Sequence, residues 1–313
     1  MINVTPLTDC TPLLDNPDAL RKRWEEEGVL FFRGLIDPEL MGWAREKFRS
    51  ALAAEGLIDL TNETPIWTGE APKTRRPCDA IGTTVWHEIM KQPKLNQAVR
   101  GAFGSEPVWI PIVAHRSFLP TGPVAEGTDI FHARHQDGFT NEGVEFAICW
   151  MPIMDIDMNS GNFAVAPGTH ARGLLHEPGQ SVIDPKLIDD DTWRAAEYRV
   201  GDVVMFNFFT AHAPLPNPSN LIRMSIDLRV IPGSAPQPIV GTVEAVDGTH
   251  VSIHTDSDEH VVVHVNDNTL IRDMHPYPRF PTSEVQKIAF PGARVLAMIG
   301  NDGNATVLRR NFY

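Results

Sequence analysis

The sequence has few cysteines, a deficit of positive charge and no long apolar run. Its three cysteines, Cys10, Cys78 and Cys149, are odd in number and scattered. They fit neither a disulfide framework nor a zinc-ribbon spacing. The formal net charge is −13. A chain this acidic is a poor candidate for binding nucleic acid or an anionic membrane surface. No apolar run approaches the ~20 residues of a membrane span.

The first ten residues, MINVTPLTDC, have neither the basic region nor the apolar region of a secretory signal. We therefore expect a cytoplasmic protein with reduced thiols. We also expect it to act on a small molecule and to bind neither nucleic acid nor membranes.

Local signals predict helices near the start of the chain. Asn16 followed by Pro17, and Asp37 followed by Pro38, are typical of helix starts, with a short apolar strand (29–35) between the two helices. A further helical stretch covers 83–103 and is broken near Pro93.

From residue 107 the pattern changes to short strands rich in β-branched and aromatic residues. We expect a mainly β fold, a double-stranded β-helix (a jelly roll, cupin-like), with N-terminal helices packed on it. The proline-rich segment 232–238 then marks a boundary, so we predict a jelly-roll domain at 1–234 and a small accessory domain at 236–313. Five or six alternating strands in the second domain predict a small β-barrel. A homodimer, involving this barrel, is left open.

The segment FHARHQDGFT (131–140) is the first candidate site. As a strand it would place His135 and Asp137 on one otherwise apolar face, and His132 on the other. Burying two ionisable groups without a partner is costly, so a metal ion is a natural partner for them. A structural His–Asp pair is the alternative.

A third ligand is expected from a neighbouring strand, where His212 ends an aromatic run. Two histidines and one carboxylate form the facial triad that suits non-haem Fe(II) and leaves open positions. Arg223 follows on the next strand, and its fork of donors suits the carboxylate of 2-oxoglutarate. Ser225 lies two residues further, on the same face.

These motifs resemble a known family. In chain order they are His135-Gln136-Asp137, the segment SGNFAVAPGTH (160–170), His212 and Arg223, preceded by EGVLFFRGL and DPEL. Together they resemble the phytanoyl-CoA dioxygenase family of Fe(II)/2-oxoglutarate oxygenases, over roughly residues 15–232. Residues 236–313 are outside the family core.

The resemblance implies Fe(II), 2-oxoglutarate and O2 as cofactor and cosubstrates, and oxidation of an unactivated C–H bond. Halogenating relatives lack the carboxylate that Asp137 supplies here, so the resemblance implies oxygenation: hydroxylation, or a related desaturation, epoxidation or ring closure. The family often has a small hydroxyl residue where this chain has Pro214, and Ser225 is a substitute. Trp150 is a further candidate to line the cosubstrate pocket.

The substrate is expected to be a small, largely apolar metabolite of natural-product biosynthesis or lipophilic-compound metabolism. The residues assigned to substrate binding are Phe131, Phe139, Trp67 and Arg116. Two alternatives remain open: an acyl-CoA or carrier-bound acyl hydroxylase of the same family, and a non-catalytic cupin-like metal-binding protein.

Overall fold

The computed structural model describes residues 4–273 and 279–311. We expect no metal role for the histidines of the second predicted domain, of which His275 lies outside the described residues. The chain divides into two compact units. The first comprises Met1–Trp109, Val113–Phe139 and Phe146–Pro232; the second comprises Ile110–Ile112, Thr140–Glu145 and Gly233–Tyr313.

The helices begin where the sequence predicts. The Asn16 side chain accepts a hydrogen bond from Ala19 N, and Gly28 ends the first helix in the left-handed conformation. Asp37 caps the second helix in the same way, through Glu39 N. The predicted break near Pro93 is confirmed. The helices are α1 Pro17–Glu27, α2 Pro38–Ala54, α3 Thr84–Ile89, α4 Pro93–Phe103 and α5 Asp137–Thr140.

Among the described residues, nine strands lie wholly or mostly in the first unit. They are β1 Thr5–Pro6, β2 Val29–Phe32, β3 Pro107–Phe118, β4 Ala147–Pro152, β5 Phe163–Ala166, β6 Arg194–Ala195, β7 Val203–Asn207, β8 Ala211–Pro214 and β9 Arg223–Pro232. One sheet has the order β1-β6-β5-β8 and the other β2-β7-β4-β9-β3. This mainly β architecture, with two sheets and N-terminal helices, agrees with the predicted fold class. The aromatic run before His212 is split into β7 and β8, whereas a single strand was expected.

The second unit contains one seven-stranded sheet. Its strands are β10 Ile239–Asp247, β11 His250–Thr255, β12 His260–His264, β13 Leu270–Arg272, β14 Arg279–Phe280, β15 Arg294–Ile299 and β16 Ala305–Arg310. The order β12-β11-β10-β15-β16-β13-β14 is open within the described residues. The predicted barrel is therefore not confirmed, because β12 and β14 end the order and are not paired to each other.

The structure also corrects the prediction for residues 131–140. The segment is not a strand: it runs through a turn, an isolated bridge at His135 and then the short helix α5. Asp137 begins that helix, where an acidic side chain is favourable. Within the described residues, no helix is long and apolar enough to span a membrane.

Candidate active site

The three predicted metal ligands converge. One ligand atom from each of His135, Asp137 and His212 lies within 4.8 Å of the others. His212 Nε2 is 3.8 Å from Asp137 Oδ1, and the two imidazole rings have centroids 4.2 Å apart. Asp137 and His212 are buried and His135 is half-buried. Among the residues that the structure describes, this is the one His/Cys/Asp/Glu group close enough to hold a metal ion.

Backbone hydrogen bonds bring the two histidines together. His135 N donates to His212 O, and His212 N donates to His135 O, both at 2.9 Å. This antiparallel bridge joins the residues immediately before α5 to β8. The two side chains consequently emerge next to each other, although His135 does not belong to a strand.

Each ring is also fixed in its tautomer. His135 Nδ1 lies 2.8 Å from Ala133 O, and His212 Nδ1 lies 3.0 Å from Thr210 O. Since a carbonyl oxygen only accepts, both Nδ1 atoms carry the proton and both Nε2 lone pairs are free for a metal. Burial lowers the pKa of His135, and it lowers that of His212 to about 3. Both rings are therefore neutral, as metal ligands must be.

The turn that carries Thr210 is itself held by the end of α1. Thr210 Oγ1 and Asn207 N both donate to Gly28 O, each at 2.9 Å. Gly28 has a φ of 63°, and an added Cβ there would lie 2.3 Å from His170 Nδ1. The helix end and the turn before His212 thus form one hydrogen-bonded unit.

Asp137 is paired with an arginine that the sequence reasoning missed. Arg229 Nη2 donates to Asp137 Oδ2 at 2.9 Å, and both side chains are buried. Burial alone would raise the pKa of the Asp137 carboxyl, but Arg229, with the two histidines nearby, holds it below its ordinary value. The carboxylate is therefore ionised.

Gln136 fixes the backbone between the two ligands. Its amide Nε2 donates to Gly173 O at 2.8 Å and to Phe209 O, while its Oε1 accepts from Leu175 N at 2.7 Å. Its backbone N donates to His176 Nε2 at 3.0 Å. The side chain is fully buried. These contacts explain why the segment turns at Gln136 and does not continue as a strand.

The triad opens into a cavity of about 180 Å³. Its polar wall consists of Arg116, Ser117, His135, Asp137, His212, Arg223 and Asp227. Its apolar wall consists of Phe118, Trp150, Phe163, Phe206 and Pro214. The polar residues are more numerous, but most of the surface that lines the cavity is apolar. An apolar surface with convergent polar groups is typical of a small-molecule site.

Arg223 is a buried cation in this wall. Its Nε donates to Gly161 O at 3.0 Å and its Nη1 to Ser225 Oγ at 2.5 Å. Its Nη2 makes no hydrogen bond to any described residue. Burial lowers the pKa of Arg223 to about 10, so the guanidinium keeps its charge at neutral pH. It is suited to one incoming carboxylate.

Trp150 lies beside this cation, as expected from the sequence. Its ring stacks on Phe163, with centroids 4.7 Å apart. The Arg223 Cζ is 6.0 Å from the Trp150 centroid and 5.3 Å from that of Phe118. Aromatic faces at these distances stabilise a buried guanidinium.

Arg116 lines the opposite part of the polar wall. Its Nε donates to Asp227 Oδ2 at 2.6 Å, and 44% of its side chain is exposed whereas Asp227 is buried. Its two Nη atoms make no hydrogen bond to a described residue. Asp227 was missed by the sequence reasoning, although it follows Arg223 and Ser225 at alternate positions of β9.

Three predicted substrate residues lie outside the cavity wall. Phe131 stacks on Trp193 with centroids 4.5 Å apart, within a buried cluster. Phe139 stacks on His176 at 4.4 Å. Trp67 is half-buried, and its Nε1 donates to Glu70 O at 2.8 Å. The structure therefore brings together the triad, Arg223, Ser225, Trp150 and Arg116, and leaves these three aromatic residues apart from them.

The remaining histidines have other contacts. His132 is exposed, as predicted. His170 Nε2 lies 3.2 Å from Glu25 O, and His176 Nδ1 lies 3.0 Å from Gln180 O. In the second unit His254 stacks on His260. Within the described ranges, none of them joins a three-ligand group.

The donor set fits the cofactors. Two neutral Nε2 atoms and one carboxylate oxygen are the donors preferred by non-haem Fe(II). The buried Arg223 with its Ser225 partner offers the charge and the hydroxyl that a dicarboxylate such as 2-oxoglutarate needs. The triad and Arg223 line one cavity, and Ser225 supports Arg223 from outside its lining.

Comparison with known proteins agrees with this chemistry. Residues 24–225 match the phytanoyl-CoA dioxygenase (PhyH) family. The chain is similar to the 1-deoxypentalenic acid 11-beta-hydroxylase of Streptomyces arenae, with 29% identity covering 72% of this chain and 85% of the relative. The enzyme of the same name from Streptomyces exfoliatus is 27% identical with the same coverage.

Two solved structures share the fold. The epimerase SnoN, in complex with Fe3+, alpha ketoglutarate and nogalamycin RO, has a TM-score of 0.52 and 15% identity, covering 70% of this chain and 85% of that one. The alpha ketoglutarate dependent carbocyclase SnoK has a TM-score of 0.50 and 17% identity, covering 72% and 86%. The chain belongs to the phytanoyl-CoA dioxygenase family, and it is a non-haem iron- and 2-oxoglutarate-dependent hydroxylase.

Proposed function

We propose that the protein hydroxylates an unactivated C–H bond of a small, largely apolar carboxylic acid in natural-product biosynthesis. The observation that carries this proposal is the meeting of His135, Asp137 and His212 with the buried cation Arg223 in one cavity. A metal site without turnover would need no buried arginine for a cosubstrate carboxylate.

In this proposal His135 Nε2, His212 Nε2 and one Asp137 oxygen hold Fe(II). Iron with 2-oxoglutarate and O2 supplies the oxidising power for the C–H bond. The protein's own contribution is to keep the two imidazoles neutral, through burial and the Nδ1 bonds to backbone carbonyls. It also shields the reacting carbon from water, since the surrounding wall is largely apolar.

Arg223 binds the far carboxylate of 2-oxoglutarate. Ser225 Oγ orients the guanidinium from one side, and Gly161 O from the other. Trp150 forms the wall next to this carboxylate. Because Pro214 offers no hydroxyl, we assign the supporting hydroxyl to Ser225, which contacts Arg223 directly.

The substrate side is formed by Arg116 and the aromatic wall. The curated relatives are named for an acid, and Arg116 has two Nη groups without a partner among the described residues. We assign these groups to the substrate carboxylate. Phe118 and Phe206 then face the apolar body, and the substrate roles of Phe131, Phe139 and Trp67 remain predictions.

The domain assignment follows from the position of these residues. All of them lie within 1–234, which we propose as the oxygenase domain. We propose 236–313 as an accessory domain without a part in the chemistry. A homodimer through this domain stays a prediction, which sedimentation of the purified protein checks.

The test is an anaerobic titration of the protein with Fe(II) and 2-oxoglutarate. A weak visible charge-transfer band is expected, followed after O2 addition by succinate. The probe substrate is 1-deoxypentalenic acid, with a product heavier by one oxygen. Asp137→Ala should give neither band nor succinate. A wild-type protein that binds Fe(II) but shows no band and consumes no 2-oxoglutarate would contradict the proposal.

A further inference from the structure

Strand β9 presents four polar residues in a row on one face: Arg223, Ser225, Asp227 and Arg229. All four are buried. In the proposed function Arg223 faces the cosubstrate side of the cavity, and Ser225 holds its guanidinium. The last, Arg229, does not line the cavity but contacts the candidate iron ligand Asp137 from behind.

We infer that Arg229 is a positioning residue that orients the carboxylate of Asp137 towards the two histidines. The inference rests on the assignment of Asp137 as a ligand in the proposed function. Arg229 Nη2 donates to Asp137 Oδ2 at 2.9 Å, and the other oxygen, Oδ1, lies 3.8 Å from His212 Nε2. The contact with Arg229 thus fixes the carboxylate with Oδ1 on the side of His212.

The guanidinium is itself held in place, which is what a positioning role requires. Its Nη1 donates to the backbone carbonyl of Asp227 at 3.1 Å, and its Cζ lies 5.7 Å from the Phe146 ring centroid. Its exposed fraction is only 4%. Because the guanidinium is planar and rigid, fixing Nη1 also fixes the direction of Nη2. A lysine would keep the charge but not this two-point geometry.

Asp227 connects Arg229 to Arg116, the residue assigned to the substrate carboxylate in the proposed function. Its Oδ2 lies 3.6 Å from Arg229 Nη2 and 2.6 Å from Arg116 Nε. The charges therefore alternate along Asp137, Arg229, Asp227 and Arg116. Arg229 separates two buried carboxylates, and its loss would leave them without the cation that lies between them.

The experiment uses the full-length protein and Co2+, which reports its ligand geometry through its visible absorption bands. Three variants are compared with the wild type by Co2+ titration calorimetry and absorption: Arg229→Gln, Arg229→Lys and Arg49→Gln. Arg49 is the matched control, since it is a buried arginine bonded to Glu46 and to backbone carbonyls outside the cavity. Thermal melting of each variant establishes that it is folded.

Arg229→Gln should weaken Co2+ binding by about 10- to 100-fold, which is typical when a group supporting a metal ligand is removed. Arg229→Lys should also weaken binding and change the Co2+ spectrum. Arg49→Gln should leave affinity and spectrum unchanged while lowering the melting temperature. Where Arg229→Gln does not fold, Arg229→Lys decides.

Wild-type affinity and spectrum in Arg229→Lys would overturn the inference, since charge alone would then suffice. Failure of the proposed function has a different signature: Asp137→Ala would bind Co2+ as well as the wild type does. In that case Asp137 is not a ligand. The two failures are therefore distinguishable without any substrate.

Discussion

Arg223 Nη1 donates a hydrogen bond of 2.5 Å to the hydroxyl of Ser225, two residues further along β9. Both side chains are buried on the same face of the strand. The serine therefore fixes one arm of the guanidinium, and Gly161 O fixes the Nε side. The remaining Nη2 is directed by these two contacts.

Because Ser225 supports Arg223, we expect the KM for 2-oxoglutarate to rise more when Arg223 is replaced than when Ser225 is replaced. Arg223→Gln removes a charge-assisted contact of about 1.5–3 kcal/mol, so the KM for 2-oxoglutarate should rise about 10- to 100-fold. Ser225→Ala removes one neutral partner, and the rise should be about fivefold. Steady-state succinate formation at varied 2-oxoglutarate measures both. Equal KM values in all three proteins would contradict the assignment of Arg223.

Metal binding should stabilise the fold through the His135–His212 bridge. A ligand that binds only the folded state adds about 2.7 kcal/mol at 100 times its Kd. Excess Co2+ should therefore raise the melting temperature of the wild type, and chelation should reverse the rise. His212→Ala should show no rise, whereas His132→Ala, altered at an exposed histidine, should respond as the wild type does. A full response in His212→Ala would refute its role as a ligand.

We expect Arg116 to contribute to binding of the substrate and not to binding of 2-oxoglutarate. Arg116→Gln should raise the KM for a carboxylic acid substrate about 10-fold or more, because a charged contact is lost. Uncoupled 2-oxoglutarate consumption should change little. The methyl ester of 1-deoxypentalenic acid provides the control, since wild type and variant should handle it similarly. A variant that discriminates between acid and ester as strongly as the wild type would exclude Arg116 as the anchor.

His115 should make stability depend on pH. Burial lowers its pKa to about 4, against about 6.5 in an unfolded chain. Between these values the unfolded chain binds a proton that the folded one does not. Its contribution to the free energy of unfolding is thus intact above about pH 6.5 and falls as the pH falls towards about 4, by at most about 1.4 kcal/mol per unit.

The check is urea unfolding of metal-free wild type and His115→Gln at about pH 7.5 and about pH 5. The difference in free energy of unfolding between the two proteins should shrink at the lower pH. His132→Gln, at an exposed position, should run parallel to the wild type. A constant difference between His115→Gln and the wild type would contradict the prediction.

The confirmed sequence predictions depend on signals from residues that are close together in the sequence. Asn16 and Asp37 cap the two helices that were expected after them, because caps depend on a few neighbouring residues. The arrangement of Arg223 and Ser225 followed from the two-residue period of a strand. The same period continues to Asp227 and Arg229. Their position on the same face as Arg223 could therefore have been predicted from the sequence.

Residues 131–140 show where local reasoning fails. Strand alternation predicted that His135 and Asp137 point together; they converge, but through a turn and a helix. The cause is tertiary: Gln136 bonds to Gly173, Leu175 and Phe209. The stacking of Phe131 on Trp193 could not be predicted locally for the same reason, because the two residues are distant in sequence. The open order of the second sheet likewise depends on pairings that turn residues do not specify.

The end of α1 connects the start of the chain to the iron site. Gly28 O accepts from the Thr210 hydroxyl, 182 residues away in sequence, and Thr210 O in turn orients His212. An alanine at position 28 would meet both a positive φ and the His170 ring. In a random mutagenesis screen, variants that fail to bind iron should therefore include substitutions at Gly28, the end of α1, as well as substitutions of the ligands themselves. A change at this helix end therefore bears on metal coordination as well as on helix stability.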